Sequence, residues 1–128
     1  MDSKLTIEQQ LKTLLDKFIQ SDKQHGIKKI AVSDLFFDVD PDEMEATRAQ
    51  FIKQYEQYKK MLIEICGNPI ITDVSGYEFK DFELTKNEKM ADMLTLFAYQ
   101  NSRFGILLFQ EDKELPIELC LSAFKTNS

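Results

Sequence analysis

The fold of this chain is decided by residues 93–109, which read MLTLFAYQNSRFGILLF. Two apolar segments in this stretch flank Gln100-Asn101-Ser102, three polar residues that suit a tight turn. Short apolar runs on either side of a turn are typical of an antiparallel pair of buried strands. We therefore predict one strand from about Asp92 to Tyr99 and a second strand from Phe104 to Phe109.

The segment before this hairpin allows a second interpretation. Four apolar residues between positions 90 and 97 recur at helical spacing, and Thr85 with Glu88 have the spacing of a capping box. The tight turn favours the strand from Asp92. Whether residues 86–99 begin as helix or as strand stays open at this point.

Further strands are predicted on both sides of the hairpin. Downstream, a turn at residues 111–114 leads into Ile117–Phe124, where apolar and polar residues alternate. The alternation predicts a strand with one strongly apolar face and one mostly polar face. Upstream, Ile70–Val74 and Tyr77–Leu84 have the composition of strands and are separated by Ser75-Gly76.

The chain begins with a predicted helix over residues 6–23. Its apolar residues fall on one stripe at three- and four-residue spacing, and Thr6 and Gln9 have capping-box spacing. Gly26 is the predicted end, because glycine accepts the left-handed conformation that ends many helices. His25 would then lie at the negative end of the helix dipole.

A second helix is predicted to begin at Asp40-Pro41-Asp42-Glu43. Gly67 and Pro69 are predicted to end it. Asp40 is the expected N-cap, Pro41 suits the first helical position and Glu43 would close a capping box. The predicted apolar face contains Met44, Phe51, Ile52, Tyr55, Tyr58, Leu62 and Ile65. Between the two helices, Ile27–Val32 suits a short strand and Leu35-Phe36-Phe37 suits a turn inserted in the core.

These elements predict an α+β fold: N-terminal helices packed on one face of a four- to five-stranded, mostly antiparallel meander. The length of 128 residues suits one domain, 1–128, with residues 1–5 and 125–128 loose. No internal repeat, low-complexity tract or linker divides the chain.

Charge and composition limit the classes of partner. The chain has 16 Lys+Arg against 22 Asp+Glu, and the surplus of acids disfavours binding to nucleic acid or to an anionic membrane. Residues 1–30 are an exception to this surplus of acids, because they carry six lysines and four acids, a net charge of +2. No signal peptide is expected, because the first six residues lead directly into an amphipathic segment. No membrane span is expected either, since the apolar run Phe104–Phe109 is far too short. We expect a soluble cytoplasmic protein in which Cys66 and Cys120 are free thiols.

The motifs for catalysis and for metal binding are weak. A nucleophilic site would have to use His25, the one histidine, and Cys66 and Cys120 lack the spacing of a zinc site. Alternating Asp at 38, 40 and 42 has the opening pattern of a calcium loop. However, Glu43 replaces its glycine and Ala49 replaces its bidentate glutamate. We assign no catalytic residue, no metal and no cofactor.

Three functional hypotheses remain. The first is a non-enzymatic protein-binding module of the inhibitor or immunity type, whose acids neutralise a basic partner protein. Its candidate residues are Asp38, Asp42, Glu43, Glu45, Glu111, Asp112 and Glu114. The second is a ligand-binding or enzymatic cone-like domain with a pocket between helices and sheet, lined by Tyr77, Phe79, Asp81, Tyr99 and Glu118. The third is a homodimer formed through the free sheet face or an edge strand.

Overall fold

The protein is a two-layer α+β structure with a five-stranded antiparallel sheet, as predicted. The computed structural model describes residues 6–33, 40–76, 86–110 and 116–126. The elements are α1 (Ile7–Gln20), β1 (His25–Val32), α2 (Pro41–Cys66), β2 (Ile71–Val74), α3 (Lys86–Lys89), β3 (Met93–Tyr99), β4 (Ser102–Phe109) and β5 (Glu118–Lys125). The strands lie in the order β1-β5-β4-β3-β2. Strands β2 to β5 thus form a meander, and β1 joins it at the free edge of β5.

The open question at residues 86–99 is resolved in favour of both interpretations. A single helical turn, α3, precedes a strand that begins at Met93. The predicted turn lies at Gln100 and Asn101, where Gln100 adopts a positive φ of 54°. The predicted strand Tyr77–Leu84 and the turn at 35–37 lie outside the described residues.

Helix α1 starts as predicted and ends earlier. The Thr6 side chain accepts from the Gln9 amide at 3.1 Å and Gln9 Oε1 accepts from the Thr6 amide at 2.9 Å, so the capping box is confirmed. Gly26 is not the end of this helix, because Ser21 already caps it. The Ser21 amide and hydroxyl both donate to the Phe18 carbonyl. Gly26 and His25 instead belong to β1.

Helix α2 has the predicted bounds, with Asp40 as N-cap and Gly67 as C-cap. The Asp40 carboxylate accepts from the amide of Asp42 at 3.0 Å, rather than from the amide of Glu43 as a capping box would require. Phe51, Tyr55 and Leu62 of the predicted apolar face are buried. The prediction that Ile52 lies on that face is wrong, because this residue is 37% exposed.

The main core lies between the helices and one face of the sheet. It joins side chains of α1 and α2 to alternate residues of β3, β4 and β5, including Phe97, Phe104, Ile106, Leu119 and Leu121. In β5 the predicted apolar face is the one turned to the helices. Among the described residues, neither α1 nor α2 has both the length and the unbroken apolar character that a bilayer crossing demands.

The second face of the sheet differs from the expectation of an open, mostly polar surface. Cys120 and Ser122 of β5 are buried there. The same face carries a second buried cluster of Ile71, Ala91, Leu94, Leu96, Leu107 and Cys120. This part of the face is therefore filled within one copy of the chain and is not free for a dimer interface. The reason is tertiary, since Glu88 of α3 and the nearby Ala91 pack against it.

Candidate functional site

The acidic residues predicted to bind a partner lie at the start of α2. Asp42, Glu43 and Glu45 are all exposed there, next to the N-cap Asp40. Asp38, Glu111, Asp112 and Glu114 lie outside the described residues. We call Asp40, Asp42, Glu43 and Glu45 the acidic helix start. The helix dipole stabilises carboxylates in the first turn, but Glu45 lies beyond it.

No basic side chain in the described parts of the chain forms an ion pair with the acidic helix start. Arg48, the first basic residue of α2, donates from Nη1 to Oε1 of Gln110 at 2.8 Å. Gln110 directly follows β4, and Glu111 is the next residue along the chain. This hydrogen bond therefore joins the second turn of α2 to the residue that precedes the second predicted acidic run in the sequence.

The two described residues of the predicted pocket do not meet. Tyr99 lies at the end of β3 on the helix-facing side, with its ring centroid 6.4 Å from that of Phe104. Glu118 lies at the start of β5 on the other face and forms an ion pair with Lys29 at 3.1 Å. Tyr99 is level with Lys125, seven residues along β5 from Glu118, which corresponds to about 23 Å. Tyr77, Phe79 and Asp81 lie outside the described residues.

A polar cluster that the sequence did not predict joins α2 to β2 and β3. The hydroxyl oxygens of Tyr55 and Thr95 are 2.6 Å apart, and they lie 3.0 and 3.1 Å from Asp73 Oδ1. Lys59, whose side chain is only 15% exposed, contacts Asp73 at 2.9 Å and Glu56 at 2.7 Å. Asp73 is held at a positive φ of 50°. The available sequence signals were weak: a tyrosine on an apolar stripe and a threonine within an apolar run.

The titration properties of this cluster are those of a structural network. Burial raises the pKa of Tyr55, and contact with Asp73 adds to the rise although the Thr95 hydrogen bond opposes it. Burial acts to raise the pKa of Asp73, but Lys59, Tyr55 and Thr95 outweigh it and hold that pKa below its usual range. Burial likewise lowers the pKa of Lys59, yet Glu56 and Asp73 raise it overall. General acid–base catalysis needs a pKa near the working pH, and each of these pKa values moves away from neutrality.

A second unpredicted feature is the buried carboxylate of Glu88 in α3. Its side chain is 0% exposed, and Oε2 accepts from the Ser122 hydroxyl at 2.7 Å. Gly105 of β4 leaves the space for it, since a Cβ at that position would lie 2.8 Å from Ser122 Oγ and 3.4 Å from Glu88 Oε2. This contact attaches α3 to the middle of the second sheet face.

The other candidate chemical groups are dispersed. Burial raises the pKa of Cys66 to about 12 and that of Cys120 to about 11, with Glu118 adding to the effect on Cys120. Both thiols are therefore protonated near neutral pH, and nucleophilic attack requires the thiolate. His25 is exposed at the start of β1, with its ring 6.3 Å from that of Phe124. Across the described ranges, no three His, Cys, Asp or Glu side chains are grouped to hold a metal ion.

Comparison of the chain with protein-family models, with curated proteins and with solved structures finds no match.

Proposed function

We propose that this protein is a non-enzymatic protein-binding module whose acidic helix start docks on a basic partner protein, as an inhibitor or immunity-type protein would. The observation that carries the proposal is the Arg48–Gln110 hydrogen bond beside four carboxylates that no base neutralises among the described residues. It engages Arg48, the first basic residue after these acids on α2, and joins that helix to Gln110, which precedes Glu111 in the sequence.

The electrostatics of this corner favour a protein partner of opposite charge. Exposed carboxylates at a helix start are stabilised by the dipole within the first turn only, so Glu45 adds repulsion without that compensation. A basic partner would relieve the repulsion, and charge complementarity chiefly raises the rate and specificity of association. The long helix behind the acids fixes their positions, which lowers the entropy cost of binding.

The chemistry of the remaining described residues supports binding rather than catalysis. The cluster around Asp73, which contains several titratable groups, has its pKa values displaced away from neutrality. The two thiols are protonated near neutral pH. The Thr95 and Ser122 hydroxyls each donate to a carboxylate, but both side chains are buried and out of reach of a substrate.

The test uses charge reversal at two positions. The chain is immobilised as bait in a lysate of its source cells, captured proteins are identified by mass spectrometry, and association rates are then measured with the purified partner. Glu43→Lys with Glu45→Lys should abolish capture of a basic protein and slow its association. The matched control, Glu8→Lys with Glu64→Lys, changes the net charge equally at exposed positions elsewhere and should leave capture intact.

Two further results would count against the proposal. Unchanged association of the Glu43→Lys/Glu45→Lys variant would remove the acidic helix start from the interface. An equal loss in both double variants would show that only net charge matters. Both variants should remain folded by circular dichroism, because a lysine in a first turn costs about 0.3–1 kcal/mol.

A further inference from the structure

A groove separates α1 from the β1 edge of the sheet. It has a volume of about 390 Å³ and continues into a neighbouring cavity of about 300 Å³. Its floor is apolar and contains Leu14 and Phe18 of α1, Phe104 of β4 and Leu121 of β5. These volumes lie at the small end of the range for ligand pockets, roughly 300–1,000 Å³.

The groove exists because α1 covers the sheet incompletely. Leu11 and Leu15 are buried, whereas Leu14, Phe18 and Ile19 of the same apolar stripe are only half-buried. Opposite them, Gly26 of β1 faces the helix without a side chain, and a Cβ there would lie 3.5 Å from the Phe18 ring. Apolar surface is thus left beside an open volume.

The walls of the groove are positively charged on a protein with an excess of acids. Lys17, Lys23 and Lys28 line the groove and Lys29 lines its continuation, while no Asp or Glu lines either cavity among the described residues. Lys17, Lys23 and Lys28 are exposed, and no acid in the described ranges forms an ion pair with them. Their ammonium groups are therefore available to a ligand.

The end of the groove near the C-terminus of α1 is fixed in place. The Lys125 ammonium donates to the carbonyls of Ser21 and Lys23 at 2.6 and 3.0 Å and lies 4.7 Å from the Phe18 ring centroid. Lys125 thus holds the end of α1 against the sheet. The three remaining lysines supply the charge that a bound anion would meet.

We propose that this groove binds a single-chain anionic amphiphile, namely a medium-chain fatty acid. Its hydrocarbon chain lies on the apolar floor between α1 and β5, and its carboxylate lies among Lys17, Lys23 and Lys28. The volume suits one short chain rather than a two-chain lipid. The lysine walls select a negative head group, because an ammonium and a carboxylate attract strongly beside a low-dielectric surface. This site is independent of the acidic helix start.

Calorimetric titration with dodecanoate below its micellar concentration tests the proposal, alongside amide-shift mapping by NMR. We expect saturable binding with shifts at Gly26 and Leu121, and at least tenfold weaker binding of dodecyltrimethylammonium, which has the same chain and a cationic head. Lys17→Gln with Lys28→Gln should weaken dodecanoate binding at least tenfold. The control Lys53→Gln with Lys60→Gln removes two exposed lysines of α2 and should not change it.

A space-filling variant tests the position of the hydrocarbon chain. Gly26→Val fits the strand, because a Cβ there makes only ordinary contact with Phe18, and its methyl groups would occupy the groove and abolish binding. Absence of dodecanoate binding to the wild type would overturn the proposal, as would equal binding of the cationic amphiphile or binding insensitive to both sets of variants. A dimer that Gly26→Val disrupts, without dodecanoate uptake by the wild type, would refute it in favour of a second copy of this chain.

Discussion

Replacing Tyr55 by Phe removes one hydroxyl from the junction of α2 with β2 and β3 and should lower the free energy of unfolding by about 1.5 kcal/mol. The ring stays in place, so no cavity forms. The hydroxyl lies 2.6 Å from Thr95 Oγ1 and 3.0 Å from Asp73 Oδ1. A net hydrogen bond to a charged group contributes about 1.5–3 kcal/mol.

The lower end of that energy range applies because Thr95 and Asp73 keep other hydrogen-bond partners in the variant. Thr95 still donates to Asp73 Oδ1 and accepts from the Asp73 amide, both at 3.1 Å. The Asp73 side chain also keeps Lys59 and, at 38% exposed, contact with water. Only the polar contact of a buried ring is lost, and neither Thr95 nor Asp73 is left without a hydrogen bond.

The measurement is urea unfolding with linear extrapolation, in which the midpoint should fall while the slope with denaturant stays unchanged. Tyr58→Phe is the matched control. Tyr58 is half-buried one turn along α2, and its hydroxyl makes no hydrogen bond to the residues described. That variant should change stability by less than about 0.5 kcal/mol. Equal effects of the two substitutions would refute the role assigned to the Tyr55 hydroxyl.

Three other predictions concern local contacts. Asp40→Ala should cost about 0.5–2 kcal/mol in urea unfolding, because α2 loses its N-cap bond; an unchanged midpoint would contradict the capping role. Gly105→Ala should cost about 1–3 kcal/mol, because the new Cβ would crowd Ser122 Oγ at 2.8 Å; a neutral effect would show that Glu88 and Ser122 move freely. The pKa of Asp73 is lowered by folding, so its contribution is complete above the ordinary carboxyl range and is lost as pH falls through the folded value. Asp73→Asn should therefore flatten the acid side of the stability–pH curve, and an unaltered slope would exclude that linkage.

The elements with local signals were predictable from the sequence. The Thr6/Gln9 capping box marks the start of α1 through hydrogen bonds only three residues apart. The alternation in β5 identified which side faces the core, because a strand turns successive residues to opposite faces. The start of α2 followed from Asp40 and Pro41 in the same way.

The errors arise where distant parts of the chain decide the outcome. Gly26 has the composition of a helix end, but its place was set by pairing with Ala123 of β5, and α1 stops at Ser21 through contacts of its own. Ser122 looked like a residue of an exposed polar face. It is buried because Glu88, 34 residues earlier, packs over the gap left by Gly105. Contacts between residues so far apart in the sequence produce no periodic pattern from which they could be predicted.

Candidate sites were predictable only in part for the same reason. The acids at 42, 43 and 45 lie within one short stretch of sequence and are exposed on one helix, so their clustering could be foreseen. The cluster around Asp73 could not, because Tyr55 and Thr95 are 40 residues apart. The groove could not be predicted either, since in the sequence its lysines contribute only to the net charge of +2 over residues 1–30.

Net charge alone is therefore an incomplete description of the surfaces of this protein. The chain carries a formal charge of −6, which on its own suggests only basic partners. The Arg48–Gln110 contact places the second turn of α2 at the end of β4, level with Glu118. The groove lies at the level of Leu121 to Ala123, three to five residues further along β5, which is about 10–17 Å. The Debye length at physiological ionic strength is about 8 Å, so the potential of the acidic helix start is largely screened at the lysine-lined groove. Each surface presents its own sign of charge, and an acidic protein can attract a basic protein at one end and an anion at the other.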